Sequence, residues 1–316
     1  MFTPEQLASL ASHRHWLMLP EVVASMHLTI RQLLTGKAEI PKAAAKDVRP
    51  KPTGKIAVLP LHGAIQQRSD IWMEVFGGTS TDQFGAMFDE VMRDPSIKGV
   101  IVDIDSPGGT VPGVQELSDK IYAARGGKPV VGIANSMAAS AAYWVGSAFD
   151  RLYVSPGGNV GSVGVYSMHM DYSKMLEEAG IATTIFQTPK HKAEFNLFAP
   201  LSQESKDYEQ GEVERIYGDF VSAVARNRNA TPASVRKSYG EGRTVDAHKA
   251  VELGMADKVA TLEQVISRMA SGRIQVGGPA ASDDWDTEPA IEDASWEDFN
   301  ATERKRSELR MKGVLS

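Results

Sequence analysis

Residues 129–149 run PVVGIANSMAASAAYWVGSAF without a single charged side chain. A stretch like this either crosses a membrane or lies wholly inside a protein core. Pro129, Gly132, Asn135 and Gly146, with serine and asparagine side chains among them, make a poor membrane helix. The run therefore reads as a buried strand over 130–133 leading into a buried helix. Ser140 sits within it, between Ala138-Ala139 and Ala141-Ala142, and nothing polar in the adjoining sequence satisfies its hydroxyl. Some other part of the fold must supply its partner.

The same alternation continues on both sides. Residues 55–61 and 99–104 read as strands, the second apolar on both faces as parallel strands are. Helical patterns fill 81–93, where Phe84, Phe88, Val91 and Met92 share one face, and 111–124. Strands at 151–154 and 184–186 bracket a helix near 173–178. A long amphipathic helix covers 202–228, and 242–259 holds a strand-like turn, a helix and a return strand. Alternating strands and helices imply a parallel sheet wrapped by helices with right-handed connections.

This core is expected to span residues 54–271. Residues 1–53 read as a helical arm and linker: Thr3-Pro4-Glu5 opens a helix, an apolar stripe runs through Ile30, Leu33 and Leu34 to Gly36, and Pro41, Pro50 and Pro52 punctuate the linker. Residues 272–316 form an acidic tail, disordered by composition, with eight acidic residues between Asp283 and Asp298. The first twenty residues hold no signal peptide, since Glu5, His13, Arg14 and His15 interrupt any apolar core.

Of the 316 residues 42% are apolar and 23% charged, an ordinary globular balance. The net charge of −6 argues against nonspecific binding to nucleic acid or an anionic membrane. With no cysteine there is no disulfide, thiolate zinc site or thiol nucleophile. The seven histidines show no metal-ligand spacing, and no cofactor is called for.

Four segments can carry chemistry. Asp105-Ser106-Pro107-Gly108-Gly109 ends a strand, where α/β sheets bind ligands, and its glycines let backbone N–H groups approach a developing oxyanion. Ser106 itself reads better as a turn residue before proline than as a nucleophile. Ser140 at a helix start is either an N-cap or a nucleophile, and no G-x-S-x-G elbow motif surrounds it. Ser162, in the glycine-rich stretch 156–165, is either part of a tight turn or a hydroxyl that holds an amine. Lys190-His191-Lys192 supplies candidate bases, and Lys192 needs an apolar setting to act as one. His191 offers a Ser-His alternative, although no aspartate motif marks a triad.

Taken together, DSPGG, MAASAAY, GSVGV, a lysine eight residues before Pro200-Leu201, and GRTVDAHKAVELGMAD resemble the signal peptide peptidase A family of serine proteases. More narrowly, they resemble the head maturation proteases of tailed phages and prophages, the minor capsid protein C-like subgroup. The likeness spans roughly residues 55–259. It implies the Clp protease/crotonase-like fold, a spiral of parallel β-strands wrapped by helices. It implies Ser140 as nucleophile, Lys192 as general base, Ser162 as the residue that orients the lysine, and the amides of Gly109 and Ala141 as oxyanion hole. Lys190 fits the register to Pro200-Leu201 less well.

The implied activity is a serine endopeptidase with a Ser-Lys dyad that processes scaffold, portal or capsid proteins during head maturation. Its setting would be the host cytoplasm or a phage procapsid. A homo-oligomeric ring is expected, in which the lysine can cross a subunit boundary, with no nucleic acid and no membrane anchor in this chain. A signal-peptide-degrading peptidase, a crotonase-like acyl-CoA enzyme and a non-catalytic capsid scaffold are the alternatives. Ala141-Ala142 stand where many family members have glycines.

Overall fold

A computed structural model of the chain describes residues 15–34, 51–53, 55–69, 73, 76–274 and 276. The helix start expected at Thr3 and the acidic stretch from Asp283 to Asp298 lie outside the described residues. The N-terminal described elements are β1 (His15–Met18), α1 (Pro20–Leu34) and β2 (Lys51–Thr53). The central ones are β3 (Ile56–His62), β4 (Ile65–Gln66), β5 (Thr79–Ser80), α2 (Thr81–Arg93), β6 (Gly99–Ser106) and β7 (Gly108–Thr110). Then come α3 (Val114–Ala123), β8 (Val130–Ala139), α4 (Ala141–Gly146), β9 (Arg151–Val154), β10 (Asn159–Gly161) and β11 (Tyr166–Ser167). The C-terminal part holds α5 (Ser173–Glu178), α6 (Gln203–Asn227), α7 (Pro232–Ser238), β12 (Thr244–Asp246), α8 (Ala247–Glu252), β13 (Lys258–Val259) and α9 (Leu262–Ala270).

The uncharged run becomes the middle of the molecule. Strand β8 pairs in parallel with β6 along one side, and on the other with β9 through its first half and β10 through its second. Flanked on both edges, it buries both faces over Val130–Ala134 and again at Ala138 and Ala139, which is why charge is missing there. The eight-stranded sheet runs β12-β10-β8-β6-β3-β2, with β9 and β13 branching from β8. Helix α4 completes the run, and every one of its residues is buried. Trp144 stacks on Phe220 of α6, centroids 4.6 Å apart and 7° from parallel, an aromatic contact of about 1 kcal/mol beyond its buried area. At Gly132 a Cβ would stand 2.5 Å from the Phe149 ring, so only glycine lets this ring close over β8. No described helix is long and apolar enough to cross a membrane.

Helix boundaries follow local chemistry. The Ser80, Ser202, Thr231 and Thr261 side chains cap α2, α6, α7 and α9, and Thr261 forms a capping box with Gln264. The half-buried Arg125 guanidinium, held below its usual pKa mainly by desolvation, donates to the carbonyls of Ser147, Ala148, Phe149 and Asn227. It thereby satisfies the chain end that follows α4.

Three local expectations are corrected. Residues 135–139 extend β8 instead of starting a helix, because β10 offers them a partner ladder. Residues 184–186 form no strand: no strand among the described residues pairs with them, and they are exposed with the whole of 177–192. Within the arm read as helical, residues 15–18 are a strand, because β7 and β11 present edges on both sides. Here tertiary pairing overrides local propensity.

Candidate active site

Because β3, β6, β8 and β10 are parallel, their carboxyl ends open on one edge of the sheet, and the candidate serines lie along it. Ser140 follows the last residue of β8 and immediately precedes α4. Its backbone adopts φ 53°, ψ −116°, a region that L-residues avoid. The sharp exit is held by two backbone bonds: Ser140 N–H donates to the Gly161 carbonyl at 2.7 Å, and Trp144 N–H donates to the Ser140 carbonyl at 2.9 Å. Its hydroxyl does not cap α4 and has no hydrogen-bond partner among the described residues. This is a strained strand-to-helix elbow without the G-x-S-x-G motif, a geometry that no residue pattern around Ser140 signals.

Ser162 leaves β10 in step with Ser140. Gly161 pairs with Ala139, so the two serines follow equivalent positions on neighbouring parallel strands, about 4.8 Å apart in the ladder direction. Ser162 also has positive φ, 52°, and is buried, and its N–H donates to the Arg243 carbonyl at 2.8 Å. The Ala141 N–H is the first of α4 and has no intrahelical acceptor.

Ser106 is held for structure. It is fully buried, its Oγ donates to the Gly63 carbonyl at 2.6 Å and accepts from the Gly108 N–H at 3.2 Å. Those bonds fix the turn that carries Gly109 into β7. Gly108 has φ 101°, and a Cβ on it would stand 2.0 Å from the Leu17 carbonyl oxygen. Backbone approaches this close that only glycine fits.

The structure thus brings Ser140, Ser162, Gly109 and Ala141 to one edge, and Lys192 hydrogen-bonds none of them. Lys192 stands exposed in the irregular stretch after α5, its N–H on the Pro189 carbonyl, and its ammonium has no partner among the described residues. Its neighbours are engaged. Lys190 Nζ lies 2.5 Å from Glu204, whose carboxyl is held below its usual range by that hydrogen bond. His191 is bonded to Glu194 and faces Glu204 at 3.7 Å. Of the three candidate bases, Lys192 alone is unclaimed by a carboxylate.

Sequence reasoning missed two contributors, the Gly161 carbonyl that locks the Ser140 turn and the strand His15–Met18 that lies on Gly109. The only sequence signal for the strand was the apolar triplet Trp16-Leu17-Met18 just before Pro20.

The chain is 32% identical over 216 residues to the head-tail preconnector protein GP5 of Enterobacteria phage P21, covering 68% of this chain and 43% of that protein. It is 28% identical to the capsid assembly protease C of Escherichia phage lambda, covering 68% and 48%. It is 24% identical to the putative signal peptide peptidase SppA of Enterococcus faecium, covering 68% and 62%. The chain spans about half the length of the two phage relatives. Residues 123–276 match peptidase family S49, a segment that includes Ser140, Ser162 and Lys192 but begins after Gly109, and the chain carries a domain of that family.

Proposed function

We propose that the chain is a serine endopeptidase with Ser140 as nucleophile and Lys192 as general base. The observation that carries this reading is the strained, uncapped Ser140 at the carboxyl edge of β8, beside Ser162. Strain held at one buried hydroxyl by surrounding hydrogen bonds is the mark of a positioned reactive group.

In the reaction, the neutral Lys192 amine takes the Ser140 proton as Oγ adds to the peptide carbonyl carbon. The N–H groups of Gly109 and Ala141 hold the oxyanion, which accounts for a large part of the rate in acyl transfer. Lys192 then protonates the leaving amine, and a water that it activates hydrolyses the acyl-enzyme. Ser162 hydrogen-bonds the amine and points it at Oγ.

Lys192 reaches its serine from a second copy of the chain. Residues 177–192 are exposed throughout and carry Ile181, Ile185 and Phe186, the last 93% exposed. An apolar arm of this kind is suited to burial against a neighbour. Docking would also bury the lysine amine, the setting in which a lysine serves as base. Head-to-tail contacts of this type close into rings.

The substrates we propose are scaffold, portal or capsid proteins of a phage head, cut in the procapsid or host cytoplasm. Support comes from the phage relatives, among them a capsid assembly protease. Residues 54–271 are read as the peptidase domain, to which residues 15–18 add a strand, and 272–316 as a tail.

The test replaces Ser140→Ala and Lys192→Ala separately, with cleavage of a co-expressed capsid scaffold as readout. Each is expected to lower kcat by about 10⁴-fold or more, while Lys190→Ala and His191→Ala retain activity. Full activity in Lys192→Ala would remove the dyad.

A further inference from the structure

We infer that strand β1 of the chain itself occupies the peptide-binding cleft, in the register of a substrate, and keeps Ser140 closed. The inference rests on the reading of Ser140 as nucleophile.

The second sheet runs β11-β1-β7-β4-β5, with β1 in its interior and antiparallel to both β7 and β11. β7 is the strand that carries the oxyanion glycine, and β11 closes the opposite side. A peptide lying between them forms main-chain bonds to both edges, the arrangement of strand addition. His15–Met18 already fills that place.

The register of β1 matches that of a bound peptide. Leu19 N–H donates to the Pro107 carbonyl at 3.1 Å, and the ladder continues as Met18 opposite Gly108, Leu17 opposite Gly109 and Trp16 opposite Thr110. Bonded and non-bonded pairs alternate along an antiparallel ladder, so Leu17 and Gly109 form the next bonded pair. Gly109 N–H therefore points at the Leu17 carbonyl. This is the amide assigned above to the oxyanion, so the Leu17 carbonyl stands where a scissile carbonyl would. A Cβ on Gly108 would meet both the Leu17 carbonyl oxygen, at 2.0 Å, and the Ala139 carbonyl oxygen, at 3.0 Å. The Leu17 carbonyl thus flanks the residue that leads into Ser140.

Side chains fit the same picture. Leu17 is fully buried in the main core, whereas Trp16 and Met18 face the other way and pack with Val23, Met26 and Ile30 of α1. Leu17 fills an apolar hole as a substrate side chain would, and α1 clamps the strand from outside. Beside this strand Ser140 is only 1% exposed. At the strand's far end, His15 Nε2 lies 3.0 Å from Glu209 of α6, which also accepts from the β11 hydroxyl of Ser167 at 2.5 Å. A substrate has to displace β1, and the cleft is shaped for a bulky aliphatic residue where Leu17 now sits.

Labelling of Ser140 by a small fluorophosphonate tests this, since it reports access to the nucleophile without a protein substrate. Leu17→Asp places a charge in the apolar hole and is expected to label about tenfold faster than the wild-type chain, because the rate scales with the fraction of open cleft. The second arm needs no core substitution. His15 and Ser167 face each other as a non-bonded pair, close enough for a disulfide, and the chain has no cysteine of its own. His15→Cys with Ser167→Cys, oxidised, is expected to label about tenfold more slowly than the same protein reduced. Equal rates in the oxidised and reduced forms, or a folded Leu17→Asp that labels at the wild-type rate, overturn the inference and leave the peptidase reading intact. If Ser140 takes no label even in Leu17→Asp, the nucleophile assignment fails and the inference falls with it.

Discussion

Ser140→Gly should make the protein more stable while removing its nucleophile. At φ 53°, ψ −116° a residue with a Cβ stores about 1–3 kcal/mol of backbone strain, and glycine adopts the region freely. Against that gain stands the greater unfolded-state freedom of glycine, about 0.5–1 kcal/mol. The proper reference is Ser140→Ala, which keeps the Cβ and the strain. It also loses no cap, because the hydroxyl makes none. The net expectation is that Ser140→Gly exceeds Ser140→Ala by about 1 kcal/mol, or about 2–4 °C in Tm for a domain of this size. Urea unfolding of the two variants, with matched m-values, reads the difference directly. If Ser140→Gly is no more stable than Ser140→Ala, no strain is stored at the turn, and the physical basis for singling out this serine is gone.

Tyr166 on β11 gives a pH signature. Burial, assisted by the Glu21 carboxylate, pushes its phenol up to about 12, against about 10 in the unfolded chain. Its contribution to stability is therefore complete below about pH 10 and is lost as pH rises towards about 12. Urea midpoints compared at about pH 9 and about pH 11 should fall further in the wild type than in Tyr166→Phe; equal losses would mean the phenol is not shielded. Phe186→Asp, on the exposed arm, should leave the unfolding midpoint of the monomer unchanged while shifting sedimentation from the assembled to the single-chain species and lowering peptidase activity in parallel. Unchanged sedimentation with full activity would show that the arm makes no contact needed for function.

Much of the spiral was legible because its strands and helices are patterned locally. The apolar runs at Val100–Val102 and Val130–Ile133 and the Phe84, Phe88, Val91 face of α2 announce themselves, and α2 occupies the residues its pattern marks. The combination of DSPGG, Ser140 and the GRTVDA segment also pointed to the family that matches residues 123–276. The features that stayed hidden depend on partners distant in sequence. The positive φ of Ser140 and Ser162 is imposed by the Gly161 and Arg243 carbonyls, and neither serine advertises it. The strand at His15–Met18 exists only because β7 and β11 offer it two edges. Thr184-Ile185-Phe186 has the composition of a strand and stays unpaired for the converse reason.

The dyad between copies can be tested most directly by mixing two inactive proteins. Ser140→Ala supplies an intact Lys192, and Lys192→Ala supplies an intact Ser140. If each site takes its serine and lysine from different chains, equal mixing with subunit exchange should restore about a quarter of wild-type peptidase activity, the fraction of contacts that pair both intact residues. No recovery from a mixture proven by mass to contain both chains in one assembly would contradict a site completed across the subunit boundary.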